Sequence, residues 1–160
     1  MSLKQTETDV LQKAVAMVAG EVSDLCFDAI RCARSNMPGD AELTVHTGKH
    51  KHVFRVAVRC GILTLAALPV LETLAKQCAP GSSLMVVALK IGPTMAKLLC
   101  ERDIAFMDAA GNAFLKAPGL YVWISGKRSG VSKVVTGLHR QSAVKVIFAL
   151  LTDSGPDKEP

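Results

Sequence analysis

Hydrophobic and polar residues recur along this chain with two different periods, and these periods predict helices and strands in turn. Apolar residues at helical spacing from Asp9 to Leu25 predict a first helix, with Thr8 or Asp9 as its N-cap. A similar spacing predicts a second helix over Asp24–Ser35. Asn36–Asp40 contains adjacent Pro and Gly residues, so we expect a loop there.

The middle of the chain changes to a period of two. Glu42–His46 and His52–Val58 alternate apolar and polar residues, and the short polar segment between them predicts the turn of a β-hairpin. Leu65–Gln77 returns to helical spacing, and Pro69 is compatible with the first turn of a helix.

The segment from Leu84 to Gly126 predicts the hydrophobic core of the domain. It begins with a continuous apolar run, which is typical of a strand buried on both faces. A strand, a helix and a second strand in this order predict a right-handed parallel crossover. The predicted elements are the strand Leu84–Leu89, the helix Met95–Arg102 and the strands Ile104–Met107, Ala113–Leu115 and Leu120–Ile124. Residues 1–126 therefore predict one α/β domain, a mixed sheet flanked by helices.

The chain changes character after Gly126. Residues 127–140 form a basic segment containing Gly and Ser, which we interpret as a linker. Residues 141–160 contain an amphipathic pattern over Gln141–Leu151, which predicts a C-terminal helix, followed by a polar tail.

Composition indicates an intracellular protein outside the membrane. Hydrophobic residues make up 49% of the chain, but no apolar run approaches the roughly 18 residues that a membrane span needs. The N-terminus lacks the apolar region of a signal peptide. The five cysteines are scattered without a CxxC pair, as expected of free thiols in a reducing compartment. We therefore expect a cytoplasmic protein with no membrane segment.

The positive charge is unevenly distributed. The net charge is +5, but residues 43–152 contain fourteen basic and four acidic side chains, a balance of +10. Such an excess attracts polyanions, although a charged surface that only maintains solubility has the same composition. Five basic residues after the predicted sheet are candidate contacts to DNA phosphates: Lys127, Arg128, Lys133, Arg140 and Lys145. The neighbouring aromatic residues Trp123 and Phe148 are expected in the core, so the sequence favours phosphate contact over base stacking.

The sequence gives little support for a phosphate-binding loop or a zinc site. Lys90–Lys97 follows a strand and begins a helix, but it lacks the second Gly and the Lys-Ser/Thr ending of a phosphate-binding loop. His46, His50, His52 and Cys60 are of the types that bind zinc, yet the histidines are interspersed with lysines around a predicted turn. Exposed loop histidines explain them better, so we expect neither a metal nor a cofactor.

Asp108 and Asn112 flank a short turn that contains Gly111, at the end of a predicted buried strand. Functional groups often lie at this position in open α/β sheets. The same residues also suit a turn in which Asp and Asn bond to their own backbone and Gly adopts a positive φ. The sequence leaves both interpretations open.

The residues around this turn resemble a known family. Leu99–Leu115, followed by Pro118–Ile124, resembles a segment of the AbiEi-like antitoxins of type IV toxin–antitoxin systems. The match is close over residues 95–126 and looser, in element order, over residues 40–152. The resemblance implies a restriction-endonuclease-like (PD-(D/E)xK-like) core followed by a winged helix-turn-helix, whose first helix would be Gln141–Leu151 and which would continue past Pro160. It implies DNA as a partner, and a cognate toxin or a second copy of the chain as further ones.

The same resemblance implies that catalysis has been lost. Active members hold Mg²⁺ with an acid on one strand and an acid-x-Lys on the next. Glu42 matches the first acid, but Ala57-Val58-Arg59 stands at the acid-x-Lys position. We therefore expect a non-catalytic, nucleic-acid-associated regulatory module. The alternatives are a metal-dependent nuclease with a migrated site that uses Glu42, Glu72 or Asp108, and a protein–protein interaction module.

Overall fold

The computed structural model describes residues 4–32 and 39–128 as an α/β domain with a curled, mixed sheet of seven strands. The elements are α1 (Gln5–Glu21), β1 (Leu25–Cys32), β2 (Ala41–Thr47), β3 (His50–Ile62), α2 (Leu68–Gln77, preceded by a 3₁₀ turn at Leu65–Ala67), β4 (Ser82–Lys90), α3 (Pro93–Glu101), β5 (Ala105–Asp108), β6 (Ala113–Ala117) and β7 (Leu120–Ile124).

The strands lie in the sheet in the same order as in the chain. β1, β2 and β3 pair antiparallel, β3, β4 and β5 pair parallel, and β6 and β7 complete the sheet antiparallel. α2 connects β3 to β4 and α3 connects β4 to β5, as parallel neighbours require. The predicted hairpin, the parallel pairing of β4 and β5, and the mixed sheet are therefore confirmed.

The two faces of the sheet are covered by different helices. On one face, α1 belongs to a core cluster that includes apolar side chains from all seven strands, whereas α2 and α3 pack on the other face. Both faces of β4 are therefore buried: Met85 and Val87 point toward α1, and Val86 and Ala88 point toward α2 and α3. This double burial explains the continuous apolar run in the sequence.

The structure contradicts the prediction of a helix over Asp24–Ser35, because Leu25–Cys32 forms the edge strand β1. Leu25, Phe27 and Ala29 fit a period of two, whereas Leu25 with Ala29 and Phe27 with Ile30 fit helical spacing. Pairing with β2 decides between the two periods, since it satisfies the strand's backbone hydrogen bonds and buries Leu25 beside α1.

The predicted start of the first helix is also wrong. α1 begins four residues earlier, at Gln5, and Lys4 is its N-cap. The carboxylate of Glu7 accepts a hydrogen bond from the Lys4 backbone N–H at 2.8 Å, so the backbone donor of the N-cap residue has an acceptor. The helix ends at Glu21 because Val22 is already extended.

Some predictions fall outside the part of the chain that the structure describes. These are the rest of the 127–140 linker beyond Arg128, the Gln141–Leu151 helix, and the candidate phosphate contacts Lys133, Arg140 and Lys145. Within the described part, no helix is both long enough and apolar enough to cross a membrane.

Candidate functional site

Two parallel strands end side by side at one edge of the sheet. β4 ends at Lys90 and β5 at Asp108, and Ala88 is paired with Asp108 in the register. The start of α3 and the segment after β7 reach the same edge, where they line one cleft. Ligands of open α/β sheets commonly bind at the carboxyl ends of parallel strands, so we call this region the carboxyl edge.

The Asp108 side chain lies at the centre of the carboxyl edge and is 0% exposed to solvent. Its Oδ1 accepts hydrogen bonds from the backbone N–H groups of Ala110 (3.0 Å) and Asn112 (2.9 Å). Its Oδ2 accepts from the Asn112 side-chain amide (2.9 Å) and from Ile91 N (3.4 Å). Both oxygens are therefore engaged in holding the turn, and they also tie it to the chain leaving β4.

Asn112 joins this turn to the segment after β7. Its side-chain Nδ2 donates to the carbonyl of Lys127 at 2.9 Å, and its Oδ1 accepts from Lys127 N at 2.8 Å. Lys127 Nζ in turn binds Glu21 Oε1, at the end of α1, at 2.5 Å. Gly111 has a φ of +99°, and a Cβ at that position would lie 3.3 Å from Met17 Cβ of α1. The turn therefore connects the segment that follows β7 to the sheet and to α1.

A cleft of about 580 Å³ opens beside this turn, between α3 and the end of β7. Its apolar surface includes Ile91, Ala96, Phe106 and Trp123. Trp123 is half-buried and packs edge-on against Phe114, with ring centroids 5.8 Å apart. The cleft therefore presents a flat aromatic side chain that is held by its neighbours yet accessible from solvent.

The rim of the cleft is positively charged. Lys90 and Arg128 line it and are exposed, and neither forms an ion pair with a residue in the described ranges. Lys127 also lines the cleft, but Glu21 balances its charge. The lining includes one carboxylate, that of Asp108, and its oxygens already accept N–H groups. An anion at the rim therefore meets two available cations.

The start of α3 adds to this positive character. Gly92 and Pro93, the N-cap and first residue of α3, line the cleft. The first turn contains no acidic side chain, and no side chain caps the helix N-terminus. The positive end of the helix dipole therefore lies at the rim without a built-in counter-charge.

The structure brings together part of the predicted site. Lys127, Arg128, Asp108 and Asn112 all line the cleft, and Gly111 lies in the adjoining turn. The sequence analysis considered Lys90 only as the first residue of Lys90–Lys97, a segment that lacks the motif of a phosphate-binding loop, and did not include it among the candidate phosphate contacts.

Trp123 was expected in the core and is instead half-buried at the cleft. The alternation along β7 was the available signal. Leu120, Val122 and Ile124 face α1, so Trp123 must face the opposite side of the sheet.

The acids considered for catalysis are separated and individually paired. Glu42 binds Arg55 on the neighbouring strand, with 2.5 Å between Oε2 and Nη1. Glu72 on α2 binds Arg102, which follows α3. Asp108 binds the N–H groups described above. These three carboxylates therefore do not form one shared site.

The acid-x-Lys position on β3 has no carboxylate of its own. Ala57 is buried, and Arg59 Nη1 lies 3.4 Å from Asp40 Oδ2. The same Asp40 oxygen accepts a hydrogen bond from Val58 N at 2.8 Å. Asp40 precedes β2 and was not among the acids that the sequence analysis considered, but its carboxylate contacts this position in the structure.

The histidines gather around the β2–β3 hairpin. His46 Nε2 lies 2.6 Å from Asp28 Oδ2, and the rings of His50 and His52 stack with centroids 6.4 Å apart. Burial, followed by the charges of His50 and His46, lowers the pKa of His52. In residues 4–32 and 39–128, no three His, Cys, Asp or Glu side chains are grouped to hold a metal ion.

Comparison of the chain with protein-family models, with curated proteins and with solved structures finds no match.

Proposed function

We propose that this chain is a non-catalytic, nucleic-acid-associated regulatory module, antitoxin-like or a transcriptional regulator, and that it contacts nucleic acid at the carboxyl edge. The observation that supports this most is the cleft rim, where Lys90 and Arg128 are exposed without an ion-pair partner among the described residues. Phosphate groups are the abundant anions that such a rim fits.

The pairing of the acids supports a non-catalytic role. Metal-assisted phosphodiester cleavage needs carboxylates that converge on one ion. Glu42 and Glu72 are each neutralised by an arginine, and Asp108 is buried among N–H donors. Recruiting any of them to a metal would break an interaction that the fold uses.

The element order supports a restriction-endonuclease-like core as part of this proposal. An antiparallel β1–β2–β3 unit is followed by α2 and a parallel β4, and the positions that the resemblance assigns to catalysis fall on adjacent strands. In the proposed module this scaffold serves for binding. The winged helix-turn-helix, the cognate toxin and the self-dimer belong to the same proposal through the resemblance alone.

The test is binding of the whole chain to labelled DNA, measured by fluorescence anisotropy over a series of salt concentrations. We expect the affinity to fall steeply with salt, and the slope of log K against log salt to decrease by about one to two when Lys90 and Arg128 are both replaced by Gln. Lys97→Gln is the matched control, because this α3 lysine is exposed and outside the cleft lining. Absence of binding at low salt would contradict the proposal.

The nuclease alternative is tested with the same protein preparation. Plasmid DNA is incubated with Mg²⁺ or Mn²⁺, and we expect it to stay supercoiled. Cleavage by the wild-type chain that is lost in a folded Glu42→Gln variant would replace the proposed function with a catalytic one.

A protein–protein interaction module is the second candidate, favoured by an apolar patch. Ile62 (65% exposed), Leu65 (58%) and Leu89 (42%) lie where β3 and β4 end, since Ile62 pairs with Lys90. Light scattering of the purified chain over a range of concentrations tests self-association. A dimer that Ile62→Glu dissociates would favour this candidate, whereas a monomer at all concentrations counts against a self-dimer.

A further inference from the structure

The cleft at the carboxyl edge has two features that together select a kind of nucleic acid. One is the cationic rim formed by Lys90 and Arg128, and the other is the accessible side chain of Trp123. A phosphate needs only the first of these features. A flat, apolar ring system attached to a phosphate uses both.

We infer that the cleft binds an unpaired nucleotide of a single strand, with its base against Trp123 and its phosphate at the Lys90–Arg128 rim. This inference rests on the proposed function and specifies its ligand. The cleft volume of about 580 Å³ lies within the range of small-molecule sites, which is roughly 300–1,000 Å³ and includes sites for nucleotide-sized ligands.

The apolar part of the cleft suits a base. Trp123 is held by its edge-on contact with Phe114, and its Nε1 lies 3.3 Å from Ser125 Oγ. An aromatic side chain fixed in this way loses little conformational freedom when a base stacks on it. Phe106 and Ile91 extend the apolar surface on the α3 side.

The polar part of the cleft suits a phosphate. Lys90 and Arg128 come from two different segments and line the same cleft, and the uncapped start of α3, at Gly92 and Pro93, lines it too. Asp108 does not oppose an anion strongly, because four N–H groups already bind its two oxygens.

Double-stranded DNA cannot use this cleft in the same way. Its bases are stacked inside the helix, and extruding one costs a few kcal/mol. A duplex therefore reaches the cationic rim but not Trp123, and a single strand reaches both. The inference accordingly predicts a preference for single strands that depends on Trp123.

Trp123 is the one tryptophan of the sequence, so its fluorescence reports on the cleft directly. The test is titration of the whole chain at low salt with a thymidine oligonucleotide of about 12 nucleotides, a length within the range of single-strand sites. We expect quenching of Trp123 fluorescence that saturates with binding. A duplex of equal length should bind more weakly, and its saturation should cause much less quenching.

Variants of Trp123 measure the contribution of base stacking to the affinity while leaving the charges of the rim unchanged. Trp123→Leu should weaken binding to the labelled oligonucleotide by about tenfold, whereas Trp123→Phe should retain most of the affinity. Tyr121→Leu is the matched control, because Tyr121 lies two residues away on the same face, is half-buried and contacts Phe114. It does not line the cleft, so its replacement should leave the affinity unchanged. Thermal unfolding establishes that each variant is folded.

The results distinguish this inference from the proposed function. Equal effects of Trp123→Leu and Tyr121→Leu, or saturable binding without quenching, would overturn the inference that the cleft binds an unpaired nucleotide. Either result would still be compatible with nucleic-acid binding elsewhere on the chain. Tighter binding of the duplex would also overturn it. No binding of either probe at low salt would overturn the inference and the proposed function together. Quenching by inorganic phosphate alone, with no further effect of the oligonucleotide, would identify an anion site without base recognition and would contradict the inference.

Discussion

Replacing Asp108 with Ala removes the acceptor of four N–H groups at once. Two of the donors, the backbone N–H groups of Ala110 and Ile91, belong to buried residues, and the other two belong to the part-buried Asn112. A buried donor left without a partner costs about 1–3 kcal/mol. Water from the adjoining cleft can reach the Asn112 donors, so we expect a total loss of about 3–5 kcal/mol in the free energy of unfolding.

Asp108→Asn is the sharper variant, because it keeps the shape of the side chain. Each carboxylate oxygen accepts two N–H groups, so either orientation of the Asn amide places its NH₂ against two donors. We therefore expect Asn to be nearly as destabilising as Ala, by about 2–4 kcal/mol.

The assay is urea denaturation followed by circular dichroism and by Trp123 fluorescence. Glu101→Gln is the control, because Glu101 is exposed and its Oε1 lies 4.0 Å from Lys97 Nζ. Such a surface pair contributes at most about 0.5 kcal/mol. An Asp108→Asn variant within about 1 kcal/mol of the wild type would refute the structural role of this carboxylate, since a single unsatisfied buried donor already costs that much.

Three further variants test the packing of α1 on the sheet, the backbone conformation just before β2, and the pKa of His52. Leu11→Ala, in the α1 core, should cost about 2–5 kcal/mol in urea denaturation, and a loss below about 1 kcal/mol would contradict the packing of α1 on the sheet. Gly39→Ala should destabilise by about 1–3 kcal/mol, because φ is +90° and the new Cβ would lie 2.9 Å from the carbonyl oxygen of Val56. Gly61→Ala, with open space around its Cβ, is the control and should not destabilise. The lowered pKa of His52 means that the unfolded chain binds the proton first, so stability should be full above pH 6.5 and fall as the pH drops below it. His52→Gln should flatten this dependence in denaturation curves measured across that range, and an unchanged curve would contradict the assignment.

Most strands were predictable because their burial is simple. β2 buries alternate residues, which leaves a period of two in the sequence, and β3 does so apart from Ala57, which is buried on the α2 and α3 face. β4 is buried on both faces, which leaves a continuous apolar run. β1 was mistaken for a helix because its apolar residues fit either period. Pairing with β2 decides that this segment is a strand and not a helix. That pairing joins residues distant in the sequence, so local spacing does not reveal it.

The site was predictable only in part, for a similar reason. The Asp108–Asn112 turn is local in sequence, and its residue types indicated a self-bonded turn. The cleft forms where Lys90 meets Trp123 and Arg128, and these residues come from two segments that are about 30 residues apart in the sequence. The sequence analysis expected Trp123 in the core, whereas the structure leaves it half-buried at the cleft, on the face of the sheet opposite α1.

Photocrosslinking tests most directly whether nucleic acid contacts the carboxyl edge. A thymidine oligonucleotide containing 5-bromodeoxyuridine is bound to the whole chain at low salt, irradiated, and the crosslinked peptides are identified by mass spectrometry. The structure predicts crosslinks within residues 90–96 and 123–128, above all at Trp123. Crosslinks confined to the β2–β3 hairpin around Lys49 and Lys51, whose charges are also exposed, would contradict the proposed interface.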